Sequence, residues 1–92
     1  AKEVPGAFLY LGNAYFQKGD DVQAEESYKK ALAHNPRDSD ALNNLAWLYY
    51  TRRAKLAEAE DLARQAMQIN PQKEAIYLDT LEKIRDAIKS SR

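Results

Sequence analysis

The chain contains no cysteine. Disulfides, thiol nucleophiles and thiolate-bound metals are therefore excluded, and nothing points to one redox compartment. It also has no net charge, because 14 Lys and Arg offset 14 Asp and Glu. The broadly basic surface of a nucleic-acid or anionic-membrane binder is missing, and only a local patch could serve such a partner. No apolar run approaches the ~20 residues that span a bilayer. No basic segment followed by an apolar one opens the chain. The expectation is thus no nucleic-acid partner and no membrane partner, with a cytoplasmic location slightly favoured. The sequence starts at Ala1, so a fragment or a processed product is expected. What remains is 92 residues, 45% hydrophobic and 30% charged, which suits one small globular domain over residues 1–92.

Glycine and proline number three each and act as punctuation. Pro5 leads into the first periodic stretch, Gly19-Asp20-Asp21 breaks it, and Asn35-Pro36 and Asn70-Pro71 close later ones. Between breaks, apolar residues recur every three and four, as in Phe8, Leu11 and Tyr15, or Leu42, Leu45 and Tyr49. No stretch alternates with the period of a strand. The spacing predicts five helices, over about 6–18, 21–34, 38–52, 56–69 and 73–89. Asp20 and Asp21 stand where an N-cap belongs, and Asp38 or Ser39 can cap the third helix. Glu25 and Glu26 precede Lys29 and Lys30 by four, which reads as a solvated helix face.

The chain also repeats itself. Shifted by 34, Ala7 meets Ala41, Leu11 meets Leu45 and Tyr15 meets Tyr49. Shifted by 35, Ala24 meets Ala59, Ala31 meets Ala66 and Pro36 meets Pro71. One residue is inserted between the halves of the second unit, within Thr51-Arg52-Arg53-Ala54-Lys55. The unit is a helix hairpin of about 34 residues, present twice.

Phe8, Leu11-Gly12, Tyr15, Ala24, Tyr28, Ala31 and Pro36 resemble the tetratricopeptide repeat at every slot. The second unit reads Leu42, Leu45-Ala46, Tyr49, Ala59, Ala63, Ala66 and Pro71, and departs by losing two aromatics and the glycine. The resemblance implies an all-α fold of antiparallel hairpins stacked as a short right-handed solenoid. Repeat one takes residues 5–38, repeat two 39–73, and a capping helix 74–89. The physics agrees. Gly12, Ala24, Ala31, Ala46, Ala59 and Ala66 are small where helices must approach, and Tyr15, Tyr28 and Leu32 fill the gaps beside them. Tyr77, Leu81, Ile84 and Ile88 make one apolar stripe on the last helix, read either as a cap or as a docking face.

A search for chemistry finds none. His34 is the single histidine, and without cysteine it cannot complete a zinc site. The serines have no base at useful spacing, the glycines are too scattered for a phosphate cradle, and the carboxylates sit on polar faces. Arg52-Arg53-Ala54-Lys55 is the one basic cluster and reads as a solvated turn. The expectation is a non-enzyme with no cofactor and no metal.

The resemblance implies instead a concave groove lined by the first helix of each hairpin. Its stripe takes Leu9, Tyr10, Asn13, Phe16 and Gln17 from the first unit and Asn43, Asn44, Trp47, Tyr50 and Thr51 from the second, with Asp79, Thr80 and Lys83 added by the fifth helix. Aromatics interleaved with amides suit a peptide-recognition surface. The bland alternative wraps Phe16, Trp47 and Tyr50 onto neighbouring helices. Some proteins of this family grip acidic chaperone tails with three cations and two asparagines. Asn13 and Asn44 match the amide slots, but Leu9, Ile76 and Thr80 stand in the cation slots, so acidic tails are not expected to bind. The function implied is a module that binds a protein or peptide partner in its groove. The alternative is self-assembly, as a homo-oligomer, through exposed solenoid ends.

Overall fold

The computed structural model describes residues 6–91. Pro5, taken above as the lead-in to the first helix, lies outside the described residues, as do the other ends of the 1–92 domain. Helix α1 runs Ala7–Lys18, α2 Asp21–His34, α3 Ser39–Arg52, α4 Leu56–Ile69 and α5 Glu74–Ser90, with a 3₁₀ turn over Pro71–Lys73 before the last. Each helix agrees with its expected span to within a residue.

The ends follow from the sequence. Gly19 stops α1 in the left-handed region at φ 84°, and its N–H and that of Asp20 bond the Phe16 and Tyr15 carbonyls at 3.0 and 2.9 Å. The second unit makes the same stop without glycine. Arg53 sits at φ 54° and Lys55 at φ 53°, each costing about 1 kcal/mol. Their side chains offset this, since the Arg53 guanidinium lies 5.4 Å from the Tyr50 ring centre and Lys55 reaches Glu25 at 3.2 Å. Asp20 caps α2 by accepting the Gln23 N–H at 3.1 Å. Of the two candidates at α3, Asp38 is the cap, accepting the Ala41 N–H at 3.1 Å. Ser39 is buried and turned to another use.

Hairpins α1/α2 and α3/α4 stack through α2 and α3, and α5 lies across α3 and α4, giving an all-α hairpin solenoid measuring 47 × 29 × 18 Å. The main core joins Ala24, Tyr28, Leu45, Ala46, Leu48, Tyr49, Ala59, Ala63, Leu81 and Ile84. The small residues are buried where close approach was expected. A methyl built on Gly12 would stand 2.5 Å from Tyr28 Cδ1, so only glycine fits there. One packing expectation fails. Leu11 is 45% exposed whereas its counterpart Leu45 is 2% exposed. Helix α3 has α2 as a neighbour on that side, and among the described residues α1 has none.

The three largest fully buried side chains are Tyr28, Tyr49 and Tyr77. Each puts its ring in the core and its hydroxyl on a polar group of an earlier helix. Tyr28 donates to Asn13 Oδ1 at 2.6 Å, Tyr49 to Glu25 Oε2 at 2.7 Å and Tyr77 to Asp40 Oδ1 at 2.7 Å. The Tyr77 proton being committed to Asp40, the Ser39 hydroxyl donates to Tyr77 at 2.9 Å.

Candidate functional site: the cleft between α1 and α3

Asn13 on α1 and Asn44 on α3 meet across the first helices of the two hairpins. Asn44 Nδ2 donates to Asn13 Oδ1 at 3.0 Å, and the Tyr28 hydroxyl donates to the same oxygen. Burial pushes the Tyr28 phenol up to about 12, so at neutral pH it remains a donor. Two donors on one oxygen fix the Asn13 amide and fill its acceptor. Asn13 Nδ2 and Asn44 Oδ1 are left as a donor and an acceptor on two residues of one cleft.

These amides floor a cleft of about 310 Å³ lined by Asn13, Phe16, Gln17, Tyr28, Asn44 and Trp47. Trp47 is half-buried and packs on Tyr50 at 5.1 Å between ring centres, tilted by 38°. Tyr50 is held in turn by Arg53. The Trp47 wall is therefore braced from behind before anything enters.

Five of the ten expected groove residues line this cleft: Asn13, Phe16, Gln17, Asn44 and Trp47. Tyr28, read from sequence as a core filler, is the residue that was missed. The other five are elsewhere. Leu9 packs against the core. Tyr10 is 73% exposed on the outer side of α1. Tyr50 stands behind Trp47. Thr51 is exposed, with its hydroxyl on the Leu48 carbonyl at 2.9 Å. Asn43 is a correction, being 9% exposed and facing inward. Ser39, one turn earlier on the same face, bonds Tyr77 of α5, so this side of α3 is turned to α5. The Asn43 Oδ1 has no hydrogen-bond partner. Thr80 is a second correction, 4% exposed with its hydroxyl on the Ile76 carbonyl at 3.4 Å. Asp79 and Lys83 bond each other at 2.8 Å and do not reach the cleft.

A second polar cluster was read as plain surface. Glu25 takes the Tyr49 hydroxyl at 2.7 Å together with Lys29 at 3.1 Å, Arg52 at 3.1 Å and Lys55 at 3.2 Å. The Tyr49 hydrogen bond, with the three cations, outweighs burial and holds the Glu25 carboxyl at about 2. One carboxylate thereby ties Arg52 and Lys55 of the basic turn to α2 and offsets part of their charge. At Asp40, burial pushes the carboxyl up, but Tyr77 and Lys73 prevail and hold it below its ordinary value. His34 stacks on Phe8 at 5.3 Å. Among the described residues, no three of His, Cys, Asp and Glu gather to hold a metal, and no helix is long and apolar enough to cross a membrane.

Two stacked helix hairpins with a braced cleft between their first helices define an α-helical repeat protein of the interaction type. A family model described as tetratricopeptide repeat matches residues 5–38, and a second of the same description matches 27–61. The chain belongs to the tetratricopeptide repeat family, which is in general a non-catalytic fold for protein–protein interaction. It is similar to tetratricopeptide repeat protein 16 of Homo sapiens, 33% identical over 79 residues, and of Macaca fascicularis, 32% identical over 79 residues; each match covers 79% of the chain and 9% of the relative. It is also similar to the photosystem I assembly protein Ycf3 of Cyanophora paradoxa, 34% identical over 55 residues, covering 60% of the chain and 32% of that protein. The chain thus spans under a tenth of the first two relatives and about a third of the last.

Proposed function

We propose that the α1–α3 cleft binds an extended, weakly charged segment of a partner protein. The observation that carries this is the Asn13–Asn44 amide pair, fixed by the Tyr28 hydroxyl and walled by Phe16 and Trp47. A donor and an acceptor in one cleft match the C=O and N–H of a peptide backbone. Phe16 and Trp47 offer an apolar seat for one side chain of that segment. Among the described residues no lysine or arginine lines the cleft, so a carboxylate seated there meets no cation in the lining. Burying an acidic tail without a partner charge would cost too much, so acidic tails are not expected to bind. The cleft is near the lower end of the ~300–1,000 Å³ range of ligand sites, so it holds a short stretch and the affinity is on the order of micromolar. A role in assembling larger complexes, as the name of the Ycf3 relative states for that protein, fits such a module.

Trp47 is the single tryptophan and supplies the readout. Titration with a library of short peptides should shift its fluorescence with apolar, uncharged sequences and not with acidic ones. Trp47→Ala and Asn44→Ala should each weaken binding at least tenfold while leaving the helical circular dichroism in place. Equal binding by both variants and the parent would sink the proposal.

A further inference from the structure

Helix α1 is apolar almost all round. It carries no charge from Ala7 to Gln17, yet Gly12 is its one fully buried residue. A helix of that composition ordinarily lies inside a protein. At 100° per residue, Ala7, Tyr10, Leu11 and Ala14 share the side turned away from α2. Tyr10 is 73% and Leu11 45% exposed, and among the described residues nothing covers them. The corresponding α3 positions are Ala41, Asn44, Leu45 and Leu48. Of these, Ala41, Leu45 and Leu48 are buried. The same slots are packing slots in one unit and open in the other.

We infer that this face pairs α1 with α1 of a second copy of the chain, antiparallel, about a two-fold axis near residues 10 and 11. The order of sizes along the face is symmetric: small at Ala7, large at Tyr10 and Leu11, small at Ala14. Reversed on itself, it sets Ala7 against Ala14 of the other copy, where two helices can approach closely. Tyr10 and Leu11 then each meet their own counterpart on the two flanks. Positions 7–17 are uncharged, so two copies meet without repulsion, and antiparallel helix dipoles attract. The opposite end of the solenoid cannot cover this face. The outward side of α5 presents Glu82, Arg85, Asp86 and Lys89, all exposed, so head-to-tail stacking is disfavoured and the closed pair is the form that results. A helix of 12 residues is about 18 Å long and offers less than the ~800 Å² per partner of a stable interface. The pair is therefore weak, with a dissociation constant of roughly 100 µM. This inference does not depend on the cleft, since Tyr10 and Leu11 are not among its lining residues.

The lack of cysteine makes the register measurable. Ala7→Cys and Ala14→Cys proteins, mixed and mildly oxidised at high concentration, should cross-link with each other, while each alone should cross-link little. Leu11→Cys should cross-link with itself. In sedimentation equilibrium from ~10 µM to ~1 mM, the unmodified chain should pass from monomer to dimer. Leu11→Glu should raise the dissociation constant at least tenfold with helicity unchanged. Val22→Glu, on an exposed α2 residue outside the face, should leave it unchanged. A chain that stays monomeric at ~1 mM overturns the inference, including the case in which an added helical hairpin binds the face instead. So does a dimer indifferent to Leu11→Glu, or equal cross-linking of the single and mixed proteins.

Discussion

Replacing Gly12 by alanine sets two opposed effects against each other. In an exposed helix interior the change would stabilise by about 1 kcal/mol, because glycine is the poorer helix former. Here the new methyl would stand 2.5 Å from Tyr28 Cδ1 and 3.0 Å from Cζ, against an ordinary contact of ~3.5–4.0 Å. The Tyr28 ring must therefore move by about 1 Å. It has nowhere to go, being 1% exposed, and its hydroxyl is held by Asn13 at 2.6 Å. Overpacking costs about 1–3 kcal/mol, and loss of the hydrogen bond adds about 1 kcal/mol. Steric cost wins, leaving a net destabilisation of about 1–3 kcal/mol. For a domain of this size that lowers Tm by roughly 5–15 °C, read by thermal denaturation. The second unit supplies the control. The slots of Gly12 and Tyr28 are filled there by Ala46 and Ala63, both fully buried. In a Tyr28→Ala background, Gly12→Ala should consequently be neutral or stabilising by up to about 1 kcal/mol, as its helix propensity alone dictates. A Tm equal to or above the parent for Gly12→Ala alone, or the same loss in both backgrounds, would refute the reasoning.

Other consequences are open to measurement. The Glu25 carboxyl is held at about 2 against 4.5. A depressed folded pKa contributes stability that is fully present above 4.5 and lost as pH falls through about 2. The full shift corresponds to about 3 kcal/mol, reduced to about 1–2 kcal/mol because the partner cations are partly solvated. Urea denaturation of the parent and Glu25→Gln should differ by that amount at pH 6 and converge near pH 2; a constant difference would count against the cluster. Asn44→Ala should weaken peptide binding in the cleft and Asn43→Ala should not, since Asn43 faces α5; equal losses in the two titrations would contradict the placement. Deleting residues 74–92 should uncover the partners of Tyr77, Leu81 and Ile84 and leave a chain that aggregates or binds a hydrophobic dye. A soluble truncated monomer with an unchanged melting curve would show that α5 docks without capping.

The helices were legible because their information is local. Gly19, Pro36 and the Asp caps set the ends, and small residues at a repeat of 34 to 35 mark where helices cross. The cleft was half legible for the same reason, since Asn13, Phe16, Asn44 and Trp47 follow from helical phase on α1 and α3. What failed were statements about how α5 lies. The stripe that included Asn43 and Thr80 left a groove face open beside α5. Instead α5 packs on α3 so that Tyr77 reaches Ser39 and Asp40, and Asn43 and Thr80 are buried. Leu11 failed in the opposite sense, since a packing residue needs a neighbour and sequence periodicity does not say whether one is present. Glu25 was hidden by a local decoy: its spacing to Lys29 accounts for a salt bridge without appeal to Tyr49, 24 residues away.

The tyrosines explain why core and surface cannot be separated in this chain. A phenylalanine would fill the same space at positions 28, 49 and 77, yet each site carries a hydroxyl that ends on a polar group of an earlier helix. Buried in the core, each ring fixes the distance between two helices, and its hydroxyl fixes their rotation, because the acceptor must face it. At Tyr49 and Tyr77 the acceptor is a carboxylate that recruits lysine or arginine, and the link ties two helices together. At Tyr28 the acceptor is a neutral amide that also takes Asn44, and the link ends in the cleft. The same device thus holds the solenoid together in two places and orients the candidate binding groups in the third. Tyr28→Phe, which keeps the volume and removes the hydroxyl, separates these roles. It should cost about 1 kcal/mol of stability and lower peptide affinity severalfold, because Asn13 is then free to turn. Unchanged affinity would show that the Asn44 bond alone orients the amide.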